Sequence, residues 1–160
     1  MKKTVTLLTL LLCFGFSGNS QVNSHALGLR FGGDGSLNGV EVSYQHQVVS
    51  NVNRVEFDLG FASSSIHNRM FLCGIYHWVW HLTGGLRSFA GPGASFAFFS
   101  GKNSEDFVNM GLGGQLGFEY NFNRFDIPFI VSLDTRPMWT FLGDHADMGW
   151  ETALGVRFTW

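Results

Sequence analysis

The sequence lacks the usual means of stabilising a small exported domain. It has two cysteines, Cys13 and Cys73, and three prolines. Charged residues make up 14% of the chain, well under the roughly 25% common in soluble domains. A formal net charge of −2 supplies neither a basic stripe for nucleic acid nor a field that selects an acidic or basic partner. Beyond residue 20 there is no apolar run of about 18 residues, so no helix of that part crosses a membrane. Helical periodicity is poor throughout. There is no phosphate-cradling glycine loop and no cysteine cluster, and no cofactor is read from the sequence.

Glycine and aromatic residues are plentiful instead: 21 Gly, 17 Phe and 16% aromatics overall. The first twenty residues stand apart. Lys2 and Lys3 precede an apolar stretch from Thr6 to Phe16, and Gly18 and Ser20 are small residues placed before Gln21. Those three parts make a cleavable secretory signal over residues 1–20. Residues 21–160 then form one domain. Losing the two lysines leaves 8 basic and 12 acidic residues, net −4, and Cys73 alone, so no internal disulfide is possible.

The rest of the chain alternates with a period of two in blocks of about ten residues, a pattern expected of membrane-crossing strands. It is clearest at the end. Trp150, Thr152, Leu154, Val156, Phe158 and Trp160 take one face; Glu151, Ala153, Gly155, Arg157 and Thr159 take the other. Successive strand side chains point to opposite faces, so one segment can serve two solvents. Eight such segments are read: Ser24–Gly32, Leu37–Gln47, Val52–Phe61, Met70–Leu82, Gly85–Phe99, Val108–Phe122, Pro128–Phe141 and Trp150–Trp160. The fold class is all-β, an eight-stranded antiparallel transmembrane β-barrel. Polar connections at Asp34–Ser36, Ser63–Arg69, Ser100–Asp106 and Leu142–Gly149 form one end; tighter ones at Val49–Asn53, Thr83–Gly85 and Phe122–Asp126 form the other. Gly91-Pro92-Gly93 predicts a bulge or kink within the fifth strand. Met70–Leu82 carries an unusually apolar second face in Phe71, Cys73, Ile75 and His77.

Charge placement decides between a membrane barrel and a soluble sandwich. Eleven of the charges fall mid-strand on the polar faces: Arg30, Glu41, Arg54, Glu56, Asp58, Arg87, Glu119, Asp134, Arg136, Glu151 and Arg157. In a barrel they lie inside, paired across strands. Tyr44, Trp78, Trp80, Tyr120 and Trp160 fall near one set of strand ends, and Trp139 and Trp150 near the other. Two aromatic belts are what membrane interfaces select. Glycines on the polar faces, Gly28, Gly39, Gly60, Gly91, Gly113, Gly117 and Gly155, leave room for arginine and glutamate in a narrow lumen. Eight strands enclose a space that side chains fill, which predicts a plugged, salt-bridged interior.

On the signal peptide, the Gly91–Ser95 run Gly-Pro-Gly-Ala-Ser, the Ser132–Pro137 run Ser-Leu-Asp-Thr-Arg-Pro and the ending Gly-Val-Arg-Phe-Thr-Trp, the chain resembles the small outer-membrane β-barrel proteins of Gram-negative bacteria. These are the porin-like group with the architecture of outer membrane protein X or the barrel domain of outer membrane protein A. The resemblance implies location in the outer membrane among its lipids. It also implies recognition of the terminal aromatic by the barrel-assembly machinery, and association with other outer-membrane proteins. The expected role is non-enzymatic, structural or as a subunit of a larger complex. A narrow channel for small solutes and a lipid A-modifying enzyme are the alternatives. The enzyme would need a hydroxyl activated by histidine: His67 with Ser63, Ser64 or Ser65, or His145 with Asp144 and Asp147. Neither set has the His-x-Ser strand arrangement of lipid A deacylases. Metal ligands are sought at Asp144–Asp147 and at His77 with His81, and no metal site is read from either.

Overall fold

The computed structural model describes residues 23–33, 38–48, 52–63, 67–101, 106–141 and 147–160; the expected signal segment lies outside them. Eight strands follow one another: β1 (His25–Gly33), β2 (Asn38–Gln47), β3 (Asn53–Ser63), β4 (His67–Thr83), β5 (Leu86–Gly101), β6 (Phe107–Asn121), β7 (Phe129–Thr140) and β8 (Met148–Thr159). Each pairs antiparallel with the next, and β8 returns to β1 through Leu29↔Val156 and its neighbours, closing the barrel. Closure gives every strand a partner on both sides and leaves no edge, the condition for strands surrounded by hydrocarbon.

The alternation read from the sequence sorts the side chains by solvent. Outward positions hold Leu29, Val42, Leu59, Leu72, Leu116, Leu133 and Leu154, all substantially exposed. Inward positions hold Arg30, Arg54, Glu56, Asp58 and Arg157, each 0% exposed. Water outside would oppose such a distribution; a hydrocarbon exterior favours it. The connections between β1 and β2, β3 and β4, β5 and β6, and β7 and β8 gather at one end, here the loop end. The other is the turn end. There β4 and β5 meet through Gly84 at φ +56°. A 3₁₀ turn at Phe122–Phe125 joins β6 to β7, capped by the Asn121 side chain accepting from the Asn123 N–H at 2.9 Å.

Three expectations need correction. The expected bulge at Gly91–Gly93 does not occur. The β4–β5 ladder passes over Tyr76 and His77 but resumes in the same register, Ile75↔Gly93 before the gap and Trp78↔Ala90 after it. Pro92 lacks an N–H, so it costs local hydrogen bonding without adding a residue to the strand. The register shift lies instead between His81 and Thr83, beside the turn. Second, Ser63–Arg69 is not all loop: β3 runs on through Ser63 and β4 begins at His67. Third, Ser100, Gly101, Met148 and Gly149 belong to strands.

The two faces of β7 test this orientation. Leu133 is 57% exposed and Ser132 1%. Leu133→Arg is expected to cost roughly 2–4 kcal/mol near mid-bilayer, measured by denaturant unfolding in lipid vesicles. Ser132→Arg is expected to act by crowding Arg157, with a loss insensitive to bilayer thickness.

Candidate functional site

Among the described residues, polar chemistry concentrates in the lumen. It is built by inward positions of all eight strands, and its side chains form a linked set of ion pairs. Arg30 stands directly opposite Glu41 in the β1–β2 register, with Nη1 2.6 Å from Glu41 Oε1. The same guanidinium turns its other edge to Asp134, Nη2 at 2.5 Å and Nε at 3.0 Å from Oδ1. Such fork-shaped pairing is the geometry that arginine and carboxylate favour. Arg136 reaches Glu41 at 3.1 Å, pairs with Asp58, and lies 3.8 Å from Glu56 and 3.9 Å from Glu151.

Glu56 is the junction. Arg157 Nη2 is 3.1 Å from its Oε1, and the Gln45 amide donates to Oε2 at 2.5 Å. Arg157 also donates to the Ser43 and Ser132 hydroxyls at 2.9 and 2.8 Å. Toward the turn end, Arg54 Nη1 lies 2.8 Å from Glu119, with Arg87 at 3.6 Å from the same carboxylate. Arg54 Nε donates to His77 Nδ1 at 3.3 Å, and its guanidinium covers the Phe89 ring at 4.9 Å.

All eleven charges named from the sequence thus face inward, and Glu151 is the least buried of them. One partner was missed. Arg69, assigned to a loop, sits in β4 with Nη2 3.6 Å from Glu151 and its guanidinium over Phe71 at 4.4 Å. It brings the set to six arginines and six carboxylates. The signal was available: Arg69 is in phase with Phe71, Cys73 and Ile75. Matching matters because a lone charge in this setting costs several kcal/mol.

The apolar half of the lumen is supplied by β4 and its neighbours. Phe71, Cys73, Ile75 and Met138 pack as one buried cluster, and Val79 and Phe89 as another. Two inward glycines make space for particular side chains. A Cβ on Gly60 would fall 2.1 Å from the Phe71 ring, and one on Gly155 2.6 Å from Arg157 Nη1. Gly28, Gly113 and Gly117 are small for another reason, since their Cβ would strike the neighbouring strand's backbone.

A cavity of about 100 Å³ remains at the loop end, lined by Arg69, Phe71, Asn109, Met138 and Glu151, with Arg136 among its walls. That is space for a few waters.

The aromatic residues named from the sequence lie on the outer face. Trp139, Trp150, Trp160 and Trp78 are 65%, 56%, 56% and 45% exposed, while Tyr44, Trp80 and Tyr120 are half-buried. Trp139 and Trp150 stand toward the loop end and the others toward the turn end. Of the candidate catalytic side chains, those of Ser63 and Asp147 are among the described residues. Ser63 Oγ donates to Asn68 Oδ1 at 2.8 Å, and Asp147 Oδ1 accepts from the Met148 N–H at 2.7 Å. Ser64, Ser65, Asp144, His145 and the side chain of His67 lie outside the described residues. His77 is buried against Arg54, and no group of three potential metal ligands occurs among the described residues.

Solved structures share this architecture. The chain is similar to the N-terminal β-barrel domain of Pseudomonas aeruginosa OprF, at 17% identity and TM-score 0.65 over 86% of this chain and 98% of that one. It has the fold of the small outer-membrane β-barrels. Neisserial surface protein A matches at 12% identity and TM-score 0.66, over 85% and 96%. A structure from the de novo design of transmembrane β-barrels matches at 13% and 0.59, over 88% and 99%. No family model matches the sequence, and no curated protein matches it.

The network makes two predictions. Arg136→Met strands Asp58 and leaves Glu41 with Arg30 alone, and is expected to lower stability by about 3–5 kcal/mol, whereas Arg69→Met, at the half-open rim, is expected to cost about 1 kcal/mol or less; denaturant unfolding in detergent micelles compares them. Gly60→Ala is expected to cost about 1–3 kcal/mol by overpacking, a loss largely absent in a Phe71→Ala background when the same unfolding is run as a double-mutant cycle.

Proposed function

We propose that this chain is an integral outer-membrane barrel that acts without catalysis, as a structural element of that membrane or as a subunit of a larger assembly in it. Residues 1–20 would direct export and be removed, and the loop end would face outward. The observation that carries the reading is the filled interior. Six arginines and six carboxylates occupy the lumen in mutual contact, and the loop-end cavity reaches only as far as Arg136. An ion crossing this barrel would have to displace paired charges in a lumen too narrow for bulk water. The apolar outer face and aromatic ends support insertion among lipids, which would be its principal partner. The barrel-assembly machinery would act on it during biogenesis.

A channel and a lipid A-modifying enzyme are the competing roles. Planar-bilayer recording of the purified, folded barrel separates the first: no steady unitary conductance is expected, and a reproducible one would overturn the plugged-lumen reading. Mild-detergent extraction from native membranes addresses the subunit role. Migration with a larger complex is expected there; migration only as a free monomer would leave the structural role.

A further inference from the structure

The outer wall carries a pair of histidines that the sequence, placing them 21 positions apart, does not bring together. His25 opens β1 and His46 stands directly opposite it in β2. The pair is of the kind not joined by backbone hydrogen bonds, since the His25 N–H and C=O are both turned to Trp160, each at 3.2 Å. Side chains of such pairs stand closest across a sheet. The two Nδ1 atoms are 3.3 Å apart, with ring centroids at 4.8 Å. Tetrahedral zinc bound at about 2.0–2.1 Å holds its ligand nitrogens about 3.3–3.4 Å apart, so the two nitrogens already sit at a chelating separation.

The rings are also held in place. Trp160 stacks on His25 at 5.5 Å and 14°, and Tyr44 lies nearly parallel to His46 at 6.4 Å and 11°. The Tyr44 hydroxyl is 2.8 Å from His25 Nδ1, where it can pass its hydrogen bond to a water on an ion. His46 is exposed and His25 half-buried, so an ion can reach the site from the rim.

We propose that His25 and His46 form a two-histidine site for a divalent cation of the zinc, nickel and copper class, on the outer wall at the turn end. Imidazole favours these ions over magnesium or calcium. Two protein ligands leave positions for water, so this is a surface chelate and not a closed structural centre. A bound ion ties β1 to β2 next to the β8–β1 seam that closes the barrel. Because the unfolded chain separates the two rings, binding stabilises the folded state.

Calorimetric titration of the tag-free, detergent-folded full barrel with zinc chloride tests the proposal. One equivalent bound through this pair, and a melting temperature that rises with zinc, are expected. His25→Gln and His46→Gln are each expected to weaken that binding roughly tenfold or more and to remove the thermal shift, while His81→Gln keeps both. Absence of binding, or binding and thermal shift that persist in both variants, would overturn it. Copper electron paramagnetic resonance on the unsubstituted protein needs no variant. Two imidazole nitrogens on the copper are expected, and a spectrum with one or none would overturn the site.

Discussion

Burial of charge in a space too narrow for bulk water is the constraint on which this structure depends. A sheet closed on itself satisfies its own backbone and turns one set of side chains toward lipid. The other set must then fill a space too narrow for bulk water. Here that space is filled by long guanidinium groups, each meeting a carboxylate from another strand. Arg30 bridges β2 and β7, Arg136 bridges β2 and β3, and Arg157 reaches from β8 to β3. Their stabilisation is collective, because removing a deeply buried member such as Arg136 leaves Asp58 stranded where solvation cannot replace it.

Much of this was legible in the sequence, because two of its causes are local. Period-two alternation needs only consecutive residues, so the two faces of β3 and β8 could be read directly. Strand existence and phase came through for all eight segments. What failed depended on partners far along the chain. Pro92 looked like a bulge, yet the strands beside it keep their register across the gap. Arg69 looked like loop because it ends the polar stretch Ser63–Arg69, although its phase with Phe71 placed it inside. Gly60 and Gly155 looked alike as space-makers for charge, but Gly60 admits the Phe71 ring and only Gly155 admits an arginine. His25 and His46 could be joined only once the β1–β2 register was known.

The shape of the lumen bears on function more than the fold does. Barrels of this architecture differ in loops and interior, and similarity to solved structures at 12–17% identity conveys the architecture alone. In this chain the interior is spent on mutual pairing, with Glu56 engaged by Arg157, Gln45 and Gln115. The outside offers a different set of surfaces: the apolar wall, its aromatic ends and the histidine pair beside the seam.

The account rests on lipid touching one face of each strand and not the other. A cysteine scan along β8 in a Cys73→Ser background, with a fluorescent label quenched by brominated acyl chains, reads this directly. Labels at 154, 156 and 158 are expected to be strongly quenched, and a label at 151, which faces the loop-end cavity, to be shielded. Uniform quenching along the strand, or none at any position, would contradict the inside-out arrangement described for this barrel.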